Sequence, residues 1–259
     1  MSAPSVLAIA AHPDDIEFVM AGTLLQLQAR GWQLHYFNLA NGCYGSSSLP
    51  PAECAAVRLA EAQAAAGLLQ ATFHPPICDD LNIFYADELL RQVAAVVRQA
   101  KPQIVLTHAP VDYMEDHQNT ARLAVGGAFC RGMPHFVTAP SQAAFSNPIA
   151  VYHAQPHGNR TPLGQIVVPT HCVDVSELLP RKRELLAAHA SQNEWLDASQ
   201  GISAYLETME QLNREVGGLS GCYTAAEGWR QHIHLGLSPA GFDPLREALR
   251  KAIRVTATV

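Results

Sequence analysis

The feature that most constrains the fold is a pair of continuous apolar runs, each of strand length and each leading directly into ionisable residues. The first is SVLAIAAH, from Ser5 to His12, and the second is QIVLTHAP, which begins at Gln103. Strands that are apolar at every position, and not only at alternate positions, are typical of parallel sheets covered by helices on both faces. Each run therefore predicts a buried strand that ends in polar side chains.

The segments around these runs have the spacing of helices and of further strands. Apolar residues repeat at helical spacing from Ile16 to Arg30. The other predicted elements are a strand over 32–41 and helices over about 52–67, 86–100 and 175–190. Alternation of this kind favours an α/β fold with a mostly parallel central sheet between two layers of helices. Because no linker-like stretch divides the 259 residues, we expect one domain over 1–259.

Charge and cysteine spacing exclude several classes of function. The formal net charge is -6 and no block of lysine or arginine is present, so the chain lacks the basic surface of a nucleic-acid-binding protein. The first residues have no charged n-region and no apolar run long enough for a signal peptide or a membrane span, which favours a cytoplasmic protein. The six cysteines show no CxxC spacing. We therefore expect small-molecule partners, and the sequence leaves homo-oligomerisation open.

Two clusters of ionisable residues follow the two buried strands. His12, Asp14 and Asp15 come after the first strand, and Asp116 and His117 come after the second. In an open parallel sheet, ligands bind beyond the carboxyl ends of the strands, where the connecting loops converge. The two clusters are therefore expected to meet at one edge of the sheet.

The residue types in these clusters suit a catalytic metal ion. Zinc takes few ligands, drawn from His, Cys and carboxylate, and a catalytic zinc keeps one position open. His12, Asp15 and His117 would supply two imidazoles and a carboxylate, a set that also binds Fe2+ and other divalent ions. Asp14 would then be free to act as the general base towards water.

Several residues have a structural interpretation beside the functional one. Asp14 followed three residues later by Glu17 fits a helix capping box, and for Glu17 we favour that role. His108 and Asp112 are both candidates for the pocket wall, and a structural role is at least as good an interpretation of His108. The other histidines, including His157, have no partner carboxylate at ligand spacing and are interpreted as structural or surface residues.

The sequence resembles the LmbE-like or PIG-L family of zinc-dependent N-acetylglucosaminyl deacetylases. The resemblance rests on AHPDDIE at 11–17, on THAPVDYMEDH at 107–117 and, more weakly, on the segment 173–192. It implies a Rossmann-like three-layer sandwich and hydrolysis of an N-acetyl group from an amino sugar or its conjugate. By position it places the metal ligands at His12, Asp15 and His117 and the general base at Asp14.

The second motif departs from the family at one position. Typical members read His-Pro-Asp-His there, and the first histidine of that motif stabilises the tetrahedral intermediate. In this chain that position is Met114, whose thioether cannot donate a hydrogen bond to an oxyanion. Tyr113 and His189 are the candidate replacements. The alternative is a metal-binding member whose deacetylase activity is altered or lost, and which acts on another small amide or only binds it.

Two further residues have expected roles at the same site. Asp116 is expected to orient a neighbouring imidazole, as carboxylates beside metal-binding histidines do. The resemblance places Arg58 where the family has an arginine facing the substrate. A solvated charge on its helix, or a pair with Glu61, is an equally good interpretation of Arg58.

Overall fold

A mixed sheet of eight strands lies at the centre of the computed structural model, which describes residues 3–192 and 205–256. The strands are β1 (Ser5–Ala10), β2 (Gln33–Asn38), β3 (Thr72–His74), β4 (Ile104–Thr107), β5 (Ala150–Ala154), β6 (His171–Asp174), β7 (Ala226–Gln231) and β8 (Ile253–Val255). Their order across the sheet is β3-β2-β1-β4-β5-β7-β6-β8. The first five strands are parallel, and β7, β6 and β8 are each antiparallel to their neighbours.

Helices flank this sheet on both faces. Those described are α1 (Asp15–Val19), α2 (Ala21–Gln28), α3 (Pro51–Leu68), α4 (Asp87–Ala100), α5 (Glu115–Cys130), α6 (Leu179–Ala187), α7 (Tyr205–Ser220) and α8 (Pro244–Leu249). The predicted α/β fold, a Rossmann-like three-layer sandwich with a mostly parallel sheet, is confirmed. Within the described residues, no helix is both long enough and apolar enough to cross a membrane.

The continuous apolar sequence of β1 follows from its place inside the sheet. It pairs with β2 on one side and β4 on the other, and all six of its residues are buried. Val6 and Ala8 belong to one hydrophobic cluster, while Leu7 and Ile9 belong to the cluster on the opposite face. A strand with a core on each face has no solvent side, so the residues from Val6 to Ala10 are all apolar.

The helix predicted from Ile16 to Arg30 is divided at Met20 into α1 and α2. The break leaves the first N–H groups of α2 without partners inside the helix. Glu227 of β7 accepts hydrogen bonds from two of them, the N–H groups of Gly22 at 2.8 Å and Thr23 at 2.7 Å. A distant carboxylate therefore satisfies a helix end that the local sequence does not reveal.

The helix predicted over 175–190 is also shorter than expected. A 3-10 turn covers Ser176–Leu178, and the α-helix begins at Leu179. Pro180 has no N–H and fits only in the first turn of an α-helix, which explains this start.

The strand order places the two polar clusters together. The chain moves outward from β1 through β2 to β3 and then returns to the other side of β1 with β4. The connections after β1 and β4 therefore diverge at a topological switch point, which opens a crevice at the carboxyl ends of these strands. The residues that follow β1 and β4 lie in this crevice.

Candidate active site

A cluster of three potential metal ligands lies at the carboxyl ends of β1 and β4. One donor atom from each of His12, Asp15 and His117 can be chosen so that all three lie within 4.8 Å of one another. Asp15 begins α1, and His117 lies in the first turn of α5. The structure thus brings together the three residues that the sequence predicts as ligands.

Two carboxylates orient the histidines of this cluster. The distance from His12 Nε2 to Asp116 Oδ2 is 3.0 Å, and the distance from His117 Nδ1 to Asp112 Oδ1 is also 3.0 Å. A carboxylate accepts the proton of the ring nitrogen beside it, so the other nitrogen of each ring is the one that can lose its proton and bind a metal ion. Those nitrogens, His12 Nδ1 and His117 Nε2, each lie 3.4 Å from an oxygen of Asp15. Asp116 thus orients an imidazole, as expected, and the imidazole is that of His12.

The electrostatics of the cluster favour a cation. Burial disfavours a charged His12, but hydrogen bonds to Asp116 and Asp15 outweigh it and raise the pKa of His12 to about 9. Burial likewise opposes the charge on His117, yet Asp15 and Asp112 raise its pKa to about 10. Carboxylates that hold protons this strongly create a negative potential in the cluster. The donor set, its tautomers and its charge therefore fit a divalent metal ion.

Asp112 is expected to position His117 for metal binding. Replacing Asp112 with asparagine exchanges an acceptor for an amide that can present its NH2 group to Nδ1, which weakens the preference for the required tautomer. We expect metal affinity to fall by about 10–100-fold. A competition titration against a chelating dye measures it.

The matched control is Asp243→Asn. Asp243 also accepts a hydrogen bond from a histidine, His171 Nε2, at 3.1 Å, but it does not line the cavity described below. Its asparagine variant should keep wild-type affinity. Equal affinities in the wild type and in both variants would show that Asp112 does not position the ligand.

The backbone at Asp14 separates its carboxylate from that of Asp15. Asp14 has φ 102° and ψ -26°, a left-handed conformation that is unfavourable for a residue with a Cβ. Asp15 contacts the histidine cluster, whereas Asp14 Oδ2 lies 3.3 Å from Arg58 Nη2. The strained residue thus allows two adjacent carboxylates to serve two different environments.

The surroundings of Asp14 suit a group that gains and loses a proton. Burial raises the pKa of Asp14, Arg58 opposes that rise, and the adjacent charge of Asp15 adds to it. Asp15 differs, since contacts with His117 and His108 outweigh burial and hold its pKa well below the usual carboxyl value. A raised pKa brings a carboxylate nearer to the working range of a general base.

The capping box expected from Asp14 and Glu17 is wrong. Asp14 precedes α1, but its side chain makes no capping hydrogen bond. Glu17 is fully buried, and its Oε2 accepts hydrogen bonds from Tyr36 Oη and His189 Nε2, both at 3.1 Å. His189 is fully buried in turn and does not line the cavity, so the structure gives it a contact with Glu17 in place of the expected contact with substrate.

Arg58 is neither solvated nor paired with Glu61. It is 4% exposed, its Nη2 also donates to the Pro13 carbonyl oxygen, and Glu61 instead accepts from Ser191. A Cβ at Gly45 would collide with the Arg58 guanidinium, so the loop can lie against this side chain only with glycine there. The arginine lies beside the general-base candidate and lines the cavity described below.

Asp80 holds that loop in place. Its carboxylate accepts hydrogen bonds from the N–H groups of Gly42 at 2.7 Å and Tyr44 at 3.0 Å. Gly42 has φ +78°, a conformation that favours glycine. Asp80 thereby fixes the backbone that encloses Arg58.

These groups line a cavity of about 460 Å³, within the range of small-molecule sites. The metal-site histidines, Asp14 and Arg58 are on its wall. Tyr113, Met114 and His157 line it as well, and Tyr113 is 58% exposed. The Tyr113 ring stands edge-on to His117, with 5.7 Å between centroids.

His108 is buried against the cluster. Its Nε2 accepts the Ala11 N–H at 2.9 Å, and its ring stacks on His117 with centroids 4.1 Å apart. Burial and the nearby His117 lower the pKa of His108, which favours a neutral ring. His108 thus supports the ligand His117 by packing while it also reaches the cavity wall.

Two residues at this site have contacts that the sequence does not predict. Asp112 is predicted only as a candidate for the pocket wall, yet it orients the imidazole of His117. His157 is interpreted as structural or surface, yet it lines the cavity. Both follow the carboxyl end of a parallel strand, β4 for Asp112 and β5 for His157, and this position is the signal that could have found them.

Comparisons with known proteins agree with this site. The family profile described as "PIG-L: GlcNAc-PI de-N-acetylase" matches residues 7–126. The chain is 25% identical over 197 residues to the diacetylchitobiose deacetylase of Thermococcus kodakarensis, covering 72% of this chain and 69% of that protein.

Two solved structures share the fold. The N,N'-diacetylchitobiose deacetylase from Pyrococcus horikoshii, in complex with an inhibitor, has a TM-score of 0.74 at 23% identity, covering 93% of this chain and 88% of that one. The 4-carboxy-2-hydroxymuconate hydratase from Pseudomonas putida KT2440 has a TM-score of 0.70 at 20% identity, covering 89% of this chain and 96% of that one.

The α/β sheet with a His-Asp-His cluster at its switch point has the arrangement of a metal-dependent hydrolase. Over residues 7–126 the chain is similar to the PIG-L family, and the relatives it matches by sequence are deacetylases. The matched profile includes both metal-ligand motifs, at 12–15 and 117, and ends before the residues that follow β5.

Proposed function

We propose that this protein is a zinc-dependent N-deacetylase that removes the N-acetyl group from an amino sugar or an amino-sugar conjugate. The observation that carries the proposal is the position of Asp14, a buried carboxylate that lines the cavity beside the metal-ligand cluster without belonging to it. When bound, the divalent ion polarises the acyl carbonyl and lowers the pKa of water.

The residues of this chain have separate tasks in that reaction. His12, Asp15 and His117 would hold the ion, and Fe2+ suits the same three ligands. Asp14 takes a proton from water as the new C–O bond forms. Arg58 holds the Asp14 carboxylate in place and presents positive charge to the cavity. Its guanidinium can donate hydrogen bonds to the hydroxyl oxygens of a substrate.

The rim of the cavity suits a sugar conjugate. Tyr44 and Tyr113 are 54% and 58% exposed, and both line the cavity. A tyrosine ring offers an apolar face together with a hydroxyl that donates and accepts, which matches the mixed surface of a pyranose. The diacetylchitobiose deacetylases are relatives by sequence and structure, and they support an N-acetylated glucosamine unit as the substrate class.

A second candidate is a family member that acts on another small amide or only binds it. The observation in its favour is Met114, which lines the cavity where the resemblance expects a hydrogen-bond donor. The shared fold does not decide between the two, because a hydratase has it too.

The test is acetate release from N-acetylglucosamine and N,N'-diacetylchitobiose by protein loaded with Zn2+ or Fe2+. We expect about one metal ion per chain and acetate from at least one substrate. A His12→Ala/His117→Ala variant should lose both, because it removes two of three ligands. The exposed His135→Ala variant is the control and should retain both.

The two readouts separate the parts of the proposal. Metal content that is unchanged in the double variant would mean that these residues are not the ligands. A fully metal-loaded wild type that releases no acetate from either sugar, or from other N-acetylated amino sugars, would favour the second candidate.

A further inference from the structure

The proposed reaction lacks one hydrogen-bond donor. Met114 is half-buried on the cavity wall, at the position where the family motif has a histidine. Its thioether donates no hydrogen bond, so another group must meet the negative charge that develops on the acyl oxygen. The two replacements expected from sequence are Tyr113 and His189, and His189 is enclosed with Glu17 behind the cavity wall.

Most histidines at the cavity have nitrogens that are already engaged. In His12 and in His117, one ring nitrogen donates a hydrogen bond to a carboxylate and the other belongs to the metal-ligand cluster. His108 Nε2 accepts a backbone N–H. His157 differs, since neither of its ring nitrogens hydrogen-bonds to any group in the described part of the protein. Neighbouring side chains surround much of the ring, but the residue keeps exposed surface and lines the cavity, so the imidazole can meet a ligand.

The position of His157 is fixed by the same elements that build the metal cluster. It begins the 3-10 turn His157–Asn159, which follows β5, the neighbour of β4. Its ring lies between Phe18 and Tyr113, with centroid distances of 5.1 Å and 5.6 Å. Its backbone N–H points to Asp112 Oδ2 at 3.4 Å, so the carboxylate that orients His117 also restrains the turn.

We propose that His157 is the oxyanion donor of this protein, and that its imidazole N–H replaces the family histidine whose position is occupied by Met114. This inference rests on the proposed deacetylase function. It adds a catalytic residue from the segment after β5, which lies outside the part of the chain that matches the family profile.

The chemistry requires only a neutral imidazole at this position. Asp14 takes one proton from water as the C–O bond forms, and it returns that proton to the sugar nitrogen as the C–N bond breaks, giving the free amine and acetic acid. His157 then donates a hydrogen bond without transferring a proton. Burial lowers the pKa of His157, and the imidazole keeps an N–H to donate in its neutral and in its protonated form.

The rival donor is Tyr113, which shares a contact with His157. Its hydroxyl stays protonated, because burial and nearby carboxylates raise its pKa. A Tyr113→Phe variant removes that hydroxyl and keeps the ring against which His157 packs. The two candidates can therefore be separated by single substitutions.

The experiment compares kcat and KM for acetate release in four variants with equal metal content. His157→Ala should lower kcat by about 10²–10³-fold, the effect of losing one oxyanion donor, with KM within a few-fold of the wild type. Tyr113→Phe should keep kcat within a few-fold of the wild type and change only KM, because its hydroxyl belongs to the substrate-binding rim. The exposed His135→Ala should leave both parameters unchanged. His157→Ala/Met114→His should regain at least tenfold in kcat, because the family histidine is restored.

Added imidazole supplies a second readout, measured with metal in excess and with the wild type as reference. It should accelerate His157→Ala and not the wild type. A His157→Ala variant whose kcat is within threefold of the wild-type value would overturn the proposal. A loss of kcat that neither added imidazole nor Met114→His restores would also overturn it, because that pattern indicates a structural role.

Failure of the proposed function has a different signature. In that case the wild type itself releases no acetate. If Met114→His alone then creates activity, His157 supplies no donor and the inference falls together with the function. If the wild type releases acetate and the His157→Ala variant has the same kcat, the inference about His157 is wrong and the proposed function stands.

Discussion

Replacing Asp14 with asparagine should lower the rate of acetate release by about 10²–10⁴-fold, the usual contribution of a general base, while the protein keeps its metal. The amide has nearly the same shape as the carboxylate but cannot accept the proton of water. Metal should stay bound, because the donor set uses His12, Asp15 and His117. Rate and metal content are measured on the same preparation.

Asp87→Asn is the matched control for this change. Asp87 is an exposed carboxylate whose partner is Arg91, one turn further along α4, at 2.6 Å. The same substitution there should leave the rate unchanged. An Asp14→Asn variant that retains metal and more than about a tenth of the wild-type rate would exclude Asp14 as the base.

The part of the site that sequence predicts is the part fixed by strand order. Apolar runs identify β1 and β4, and the rule that ligands bind at the carboxyl ends of parallel strands brings His12 and Asp15 towards His117. The prediction that these residues lie close together does not require their side-chain contacts to be known, because polar residues that follow buried parallel strands lie at the same edge of the sheet.

The contacts of Asp14 and Glu17 depend on distant elements and could not be predicted. The Asp-x-x-Glu spacing is the same in a capping box and in this site, so the local pattern is ambiguous. The outcome is decided by His189, which bonds Glu17 from 172 positions along the chain, and by Arg58, which reaches Asp14 from α3. Helix placement, and not local sequence, selects the role.

His157 is a different case, because the rule that found the metal ligands also applies to it. The segment AVYHAQP has the pattern of a strand, and His157 follows it. A carboxylate at ligand spacing in the sequence indicates that a histidine binds a metal. A histidine that only donates a hydrogen bond needs no such carboxylate, so this pattern does not indicate the role of His157.

The largest expected effect on stability is that of Glu227→Ala. Glu227 is 3% exposed and lies 2.5 Å from Nζ of Lys182, which is fully buried, and the same carboxylate accepts the N–H groups that begin α2. Among the described residues, removing it leaves the buried ammonium with Asn213 as its one hydrogen-bond partner and takes the acceptor from two backbone N–H groups. We expect the free energy of unfolding, measured in urea, to fall by about 3–5 kcal/mol.

Two further variants identify the cause of that loss. Glu184→Ala removes a carboxylate paired with Arg181 on the exposed surface of α6, and should cost at most about 1 kcal/mol. Lys182→Met removes the buried cation and leaves Glu227 bonded to the start of α2, so it should cost less than Glu227→Ala. If Glu227→Ala costs no more than the surface variant, the carboxylate does not hold α2 in place. The boundary between α1 and α2, which follows the strained Asp14 turn, is then stabilised by other contacts, such as the packing of Met20 and Ile16 in the core and their backbone hydrogen bond.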